Sequence, residues 1–227
     1  MGRKREMSAT ENTRGDETNY LITGNKVLGP GVRVEGATMA STAGVRLRNG
    51  NRVKLTLANH SFKNCERVFH PNGDSGDIIA EIKERYEDED WAMAEIHPSV
   101  AFSNSQIFEC PTPARLLRSH EMKAREWYAC DGMTTGKVAL NYSGVRYLES
   151  TDPGGEMTWL ARLTPWSVYC AMGPTSGAPE LREGICGAPI IQETDRTVAG
   201  FVQYIDSHGF CSSPWLDKLV DEGWSCC

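Results

Sequence analysis

The stretch AGVRLRNGNRVKLTLANH, Ala43 to His60, constrains the fold of this chain more than any other. Val45 and Leu47 alternate with Arg46 and Arg48, then Val53, Leu55 and Leu57 alternate with Lys54 and Thr56. A period of two places the two sets on opposite faces, as a half-buried strand requires. Asn49-Gly50 tolerates positive φ at both residues and predicts a tight hairpin turn. The same short β-type runs recur at Asp77–Ile82, Trp91–Ile96, Trp127–Cys130, Lys137–Asn141, Val145–Leu148, Leu160–Leu163, Ala188–Gln192 and Val198–Ile205. Many short strands between Gly, Asn and Pro turns predict an all-β sandwich or barrel.

Two stretches carry a helical pattern instead. Pro113 to Trp127 has Leu116, Leu117 and Trp127 with charges between them, near the chain's midpoint. Ser212 to Trp224 has a serine cap signal, Pro214 in the first turn, an apolar face of Trp215, Leu216, Leu219 and Val220, and Gly223 as a stop. Residues 1–25 are polar and aperiodic and are expected to form a flexible arm.

Composition narrows the function classes. A chain of 227 residues with 40% hydrophobic and 24% charged residues has material for a substantial core. A net charge of -6 argues against a broad nucleic-acid footprint, which needs a basic surface. The one basic cluster, Gly2 to Arg5, is short. No apolar run approaches the length of a membrane span, and the first residues lack the apolar core of a secretory signal. Cytoplasmic residence is therefore expected, with the nucleus not excluded. The pair Cys226-Cys227 admits a prenylation reading that nothing else supports. Eight cysteines would suit a disulfide framework in a secreted chain, but without a signal segment free thiols are expected. No Cys-x-x-Cys or histidine spacing predicts a metal site, and no cofactor is expected.

Three residues stand out in chain order. His60 follows the alternating hairpin, Asp90 abuts the apolar run WAMAEI, and Cys186 sits in the turn Gly-Ile-Cys-Gly-Ala-Pro before a second strand–turn–strand. A base, an orienting carboxylate and a thiol are the parts of a nucleophilic unit. For each there is a plainer reading. Cysteine is among the most buried residue types. Asp88 competes with Asp90 in the acidic run, and the four other histidines read as ordinary core or surface residues.

These motifs resemble the chymotrypsin-like protease superfamily (PA clan). TLANH is similar to its histidine motif, DWAMAEI to its aspartate strand, and GICGAPI to its nucleophile turn with cysteine for serine, as in picornavirus-type cysteine proteases. VAGFVQY resembles the strand lining the specificity pocket, and CDGMTTGKV a turn opening the second barrel. The resemblance implies two antiparallel six-stranded β-barrels with a C-terminal helix and an active site in the cleft between them. On that reading residues 26–112 form the first barrel, 113–126 a linker with a helical pattern, 127–211 the second barrel, and 212–227 a helix and tail. It implies an endopeptidase acting on a protein or peptide substrate, with His60 as base and acid, Asp90 as orienter and Cys186 as nucleophile. The backbone amides of Gly184 and Cys186 would form the oxyanion hole.

Glu180 falls by offset where trypsin-like enzymes carry their pocket-base residue, though it also reads as a polar loop residue, the preferred reading. Gln203, Tyr204 and Ile205 are expected to line one pocket wall. Val202 stands where glutamine-preferring members carry histidine, which puts glutamine preference in doubt, and His208 is a weak substitute. Two alternatives stay open. One is a protease-like peptide-binding module without turnover. The other is a serine endopeptidase using Ser176, in the decoy run Ser176-Gly177-Ala178-Pro179.

Overall fold

The structure is a computed structural model describing residues 15–23, 26–73, 76–105, 108–149, 163–172, 181–206 and 208–227. The first half carries β1 (Val27–Leu28), β2 (Arg33–Glu35), β3 (Ala40–Thr42), β4 (Arg46–Asn49), β5 (Arg52–Ala58), β6 (Arg67–His70), β7 (Asp77–Tyr86), β8 (Trp91–Ile96) and β9 (Ala101–Phe102). The second half carries β10 (Arg115–Leu116), β11 (Trp127–Gly132), β12 (Gly136–Glu149), β13 (Leu163–Met172), β14 (Pro189–Gln192), β15 (Thr197–Phe201), β16 (Tyr204–Ile205) and β17 (Phe210–Pro214). The helix α1 (Asp217–Asp221) and the strand β18 (Ser225–Cys226) follow.

Two sheets of eight strands result, in the orders β18-β4-β5-β8-β7-β6-β2-β3 and β10-β15-β14-β11-β12-β13-β17-β16. In the first, β3 runs through Ala43–Val45 into β4, so one end of the sheet continues into the other. The amide of Gly44 donates to the Thr56 carbonyl at 3.0 Å and that of Thr56 to the Val45 carbonyl at 3.0 Å, fixing the join. In the second, β15 continues through Val202 and Gln203 into β16. The Gln203 amide donates to the Ser212 carbonyl at 3.0 Å, and the Phe201 amide to Ser213 Oγ at 2.8 Å. A chain that joins opposite ends of its own sheet must curl it, and both sheets curl into the chymotrypsin-like double β-barrel. The short strands at the sheet ends bring each to eight rather than the expected six.

Each barrel has its own core. Leu28, Val34, Leu57, Phe62 and Phe102 belong to the first, and Tyr128, Leu140, Tyr169 and Ile190 to the second. A third cluster lies between them, joining Leu47, Trp91 and Met93 to Ile191, Phe201 and Leu219. Trp91 is fully buried, with its ring 6.1 Å from that of Phe201 and 5.2 Å from that of Tyr86.

Several expectations are corrected. Arg115–Leu116 pairs with β15, and Ser119–Glu121 makes one 3-10 turn, so the helical pattern of 113–127 is not a helix. Leu116, in β10, and Leu117, just after it, are buried against the second sheet. Ser212 to Pro214 completes β17, which shortens the terminal helix to Asp217–Asp221. The tail then pairs with β4 of the first barrel as β18, with Cys226 opposite Leu47. Residues 15–23, expected in a flexible arm, lie against both barrels. The Asp16 amide donates to the Met133 carbonyl at 2.9 Å, and the Tyr20 amide to His70 Nε2 at 3.1 Å. Tyr20 supplies the anchor, stacked on His70 and edge-on to Phe108. The hairpin turn is displaced by one residue. Asn49 pairs with Arg52, and Gly50, at φ +58°, takes the first central position of a two-residue loop, as a type II′ turn requires. No helix of the described residues is long and apolar enough to cross a membrane.

Because Trp91 spans the inter-barrel core, Trp91→Ala is expected to lower stability by about 3–5 kcal/mol. Val145→Ala, at a 40% exposed position, should stay within about 0.5 kcal/mol of the parent. Equilibrium urea unfolding of the two variants checks this, and equal losses would count against the tryptophan's place in the core.

Candidate active site

The first barrel presents the histidine. After β5 the chain closes a 3-10 turn, Asn59–Phe62, whose Asn59, Ser61 and Phe62 point inward and are buried. His60 is the residue left at the rim, with 28% of its side chain exposed. Arg85 holds the far end of this turn. Its guanidinium donates to Asn59 Oδ1 at 2.6 Å and to the carbonyls of Phe62 and Cys65 at 3.1 and 2.9 Å. The Asn59 amide group donates in turn to Glu87.

Asp90 occupies a left-handed conformation, φ +53°, just before β8, a conformation that aspartate tolerates better than most residues. Its carbonyl accepts from the Asn59 amide at 3.0 Å. Its carboxylate meets His60 twice: Oδ1 accepts from the His60 amide at 2.9 Å, and Oδ2 lies 2.5 Å from His60 Nδ1. Between Asp88 and Asp90, it is Asp90 that holds the ring.

The second barrel presents the thiol. Arg182 to Ile185 form a tight turn, the Ile185 amide donating to the Arg182 carbonyl at 3.3 Å. Gly184 occupies its third position at φ +91°, as a type II turn demands. Gly187 also lies at φ +91°, and a Cβ there would stand 2.2 Å from the Thr42 carbonyl oxygen. No other residue fits that approach. The loop is pinned from the first barrel. Thr42 Oγ1 donates to the Gly184 carbonyl at 2.6 Å, while Ser41 Oγ and the Thr42 amide donate to the Cys186 carbonyl at 2.8 and 2.9 Å. Both carbonyls are thus drawn towards the first barrel. The amides of Gly184 and Cys186 donate to no protein group among the described residues.

The two halves meet at the imidazole. Nδ1 is held by Asp90, and Cys186 lies close enough to the ring to act on its charge. Burial disfavours charge on His60, but the hydrogen bonds to Asp90 and Cys186 and the negative charge of both carry its pKa up to about 10. The Cys186 sulfur also lies 3.6 Å from the Gln203 carbonyl, at the entrance to β16. All eight cysteines are free, and burial separates several of them from chemistry. It pushes the thiols of Cys110 and Cys130 well up, and those of Cys211 and Cys226 to about 12. Among the described residues no cluster of His, Cys, Asp and Glu is arranged to hold a metal ion.

His60 therefore lies between Asp90 and the neighbourhood of Cys186, with the Gln203 carbonyl beside the sulfur. Tyr204 and Ile205 follow Gln203 along β16; Tyr204 is half exposed and Gln203 is buried. His208 is exposed, in a turn closed by its amide on Asp206. Glu180 and Ser176 lie outside the described residues. Sequence reading missed Ser41, Thr42 and Arg85. Their contacts join segments far apart in the chain, and no local motif marks them.

No family model matches this sequence, and no curated protein matches it. Solved structures do match. The Nocardiopsis protease NAPase aligns at a TM-score of 0.62 and 10% identity, over 88% of this chain and 98% of that one. The active form of the Rv3671c protease of M. tuberculosis aligns at 0.58 and 12%, over 96% and 92%. A chymotrypsin of Cellulomonas bogoriensis aligns at 0.57 and 10%, over 88% and 98%. At these identities the likeness establishes the fold: the chain has the double-barrel architecture of the chymotrypsin-like proteases.

Proposed function

We propose that the chain is an endopeptidase that cleaves peptide bonds through Cys186, His60 and Asp90. The observation that carries this reading is the His60 imidazole, bound at Nδ1 by Asp90 and near enough to Cys186 for the sulfur to help raise its pKa. The structural neighbours are proteases by name, which supports the reaction class.

The chemistry follows from the contacts. Asp90 fixes the imidazole tautomer and favours its cationic form. A cationic ring beside Cys186 favours the thiolate, which is the attacking species. Thiolate attack on the scissile carbonyl carbon forms the C–S bond and moves the carbonyl π electrons onto oxygen. The amides of Gly184 and Cys186 are placed to donate to that oxyanion. Collapse expels the amine, which takes its proton from His60, and leaves a thioester on Cys186. Water then attacks the thioester, His60 accepting its proton and Cys186 leaving as thiolate. The second barrel supplies the nucleophile and the first its base, so the cleft between them is the place for the peptide.

Serine in place of cysteine is the alternative raised by proteases of this fold. The contact between Cys186 and His60 favours the thiol, since a nucleophile must lie within reach of its base.

Alkylation by iodoacetamide at neutral pH is expected to be fastest at Cys186 among the eight thiols, and to slow by roughly tenfold or more in His60→Ala. Peptide mapping by mass spectrometry reads both. Even labelling that ignores the mutation would remove the basis for a cysteine nucleophile. On a cleavable peptide, Cys186→Ala should lose about three orders of magnitude or more in kcat/KM. Specific binding without any product would mark a peptide-binding module instead.

A titration tests the electrostatics. His60 should stay protonated up to a pH of about 10 and, in Asp90→Asn, should titrate closer to the ordinary 6.5, followed by NMR of the ring. The folded ring holds its proton more tightly than the unfolded one. Its contribution to stability is therefore complete below pH 6.5 and is lost as pH rises through about 10. An unchanged His60 titration in Asp90→Asn would show that the carboxylate does not set the charge of the ring.

A further inference from the structure

Beside the catalytic groups lies a cation that the peptide-cleaving reading does not use. Arg146, on β12, reaches across the curled second sheet, with its guanidinium carbon 6.0 Å from the Trp166 ring centre and 4.5 Å from that of Tyr204. Tyr204 is half exposed and follows directly on Gln203, whose carbonyl is 3.6 Å from the Cys186 sulfur. The guanidinium makes no salt bridge among the described residues, and its Nε–H is buried without an acceptor. The nearest acidic influence is Asp206, whose pKa is lowered chiefly by backbone hydrogen bonds from Phe210 and His208, and to a smaller degree by Arg146. Asp206 uses Oδ1 to hold its own turn, accepting from the amides of His208 and Phe210 at 2.9 and 3.0 Å. With Nε buried, the donors left to face a peptide are those of the two Nη groups over the aromatic rings, and they match a carboxylate in hydrogen bonding and charge.

Among the described residues, strand β16 is the terminal strand of its sheet and pairs only with β17. An extended peptide can add to such an edge, its backbone bonding the strand and its side chains alternating between faces. With the reacting carbonyl at Cys186, residues two to four positions away along the peptide would pass Tyr204 and Ile205, beneath the guanidinium. Resting on the proposed peptide-cleaving function, we propose that Arg146 is a specificity-determining residue that selects substrates with an acidic side chain two to four residues from the scissile bond. Tyr204 is the platform that positions it. The chain's net charge of -6 makes this preference local, since the molecule as a whole repels acidic peptides.

The test is a set of fluorogenic peptides in which Glu, Gln or Lys is scanned through the positions flanking the scissile bond. Cleavage is read with the wild-type chain, and binding by fluorescence polarisation with Cys186→Ala. At one of those positions Glu should exceed Gln by about three- to tenfold in kcat/KM and in affinity, as one charge-assisted contact at a partly exposed site gives. The ratio should fall to about one in Arg146→Gln and turn in favour of Lys in Arg146→Glu. A Glu-to-Gln ratio near one in the wild type, or one that survives in Arg146→Gln, overturns the inference. Selective binding of Glu peptides with no cleavage of any peptide would overturn the endopeptidase reading and leave the acidic preference standing.

Discussion

The seam between Thr42 and the Cys186 loop is the contact on which the site depends. Ser41 and Thr42 belong to the first barrel and Gly184 and Cys186 to the second, yet three hydrogen bonds join them. Each ties down a carbonyl of the nucleophile loop. Each carbonyl shares its peptide plane with the next amide, so the seam fixes the Gly184–Ile185 and Cys186–Gly187 planes and holds the peptide that carries the Cys186 N–H between two pinned neighbours. The close passage of Gly187 against the Thr42 carbonyl makes the same seam steric as well as polar. The geometry of the Cys186 loop is thus a property of both barrels packed together. The inter-barrel core of Leu47, Trp91, Ile191 and Phe201 bears on chemistry as much as on stability.

On the other side of the cleft the histidine is held by electrostatics. Removing an imidazolium from water is unfavourable, and burial of His60 by itself lowers its pKa. Asp90 and Cys186 reverse the sign. The carboxylate contributes two hydrogen bonds, one to the backbone amide and one to Nδ1, so it places the ring as well as charging it. Arg85 and Asn59 brace the same short turn from behind. A 3-10 turn of four residues has few bonds of its own, and the guanidinium replaces what a longer helix would have supplied at its carbonyl end.

Much of this was legible in the sequence, and the failures have physical reasons. The alternation around Asn49-Gly50 specified a hairpin, and Gly50 alone took positive φ, so the turn sits one residue on from the expected pair. Ser143-Gly144 reads as a break, yet β12 runs through it as a bulge between Tyr142 and Gly144. Most of β13 was overlooked because Pro165 removes a ladder donor, but it lies near the start of the strand, opposite Tyr147. The leucines of 113–127 match a helical face by spacing, and only long-range pairing with β15 decides otherwise. His60, Asp90 and Cys186 could be singled out because each sits in a local turn beside a strand. Thr42 and Arg85 were not, because a threonine in a strand and an arginine among charges carry no mark of what they touch.

On the proposed mechanism, a cysteine nucleophile changes what this scaffold must do. A hydroxyl stays protonated at neutral pH, so its base acts only as the bond forms. A thiol titrates near 8.5 when free, within reach of an imidazole whose pKa is raised to about 10. An imidazole with so raised a pKa carries its proton at neutral pH before any substrate arrives. Asp90 then serves a standing cation instead of a transient one, which fits its two-point grip on His60. The same logic sorts the remaining thiols: Cys110, Cys130 and Cys211 are buried without such a partner and are held neutral. On the proposed mechanism, the cation beside Cys186 is what separates that thiol from the others.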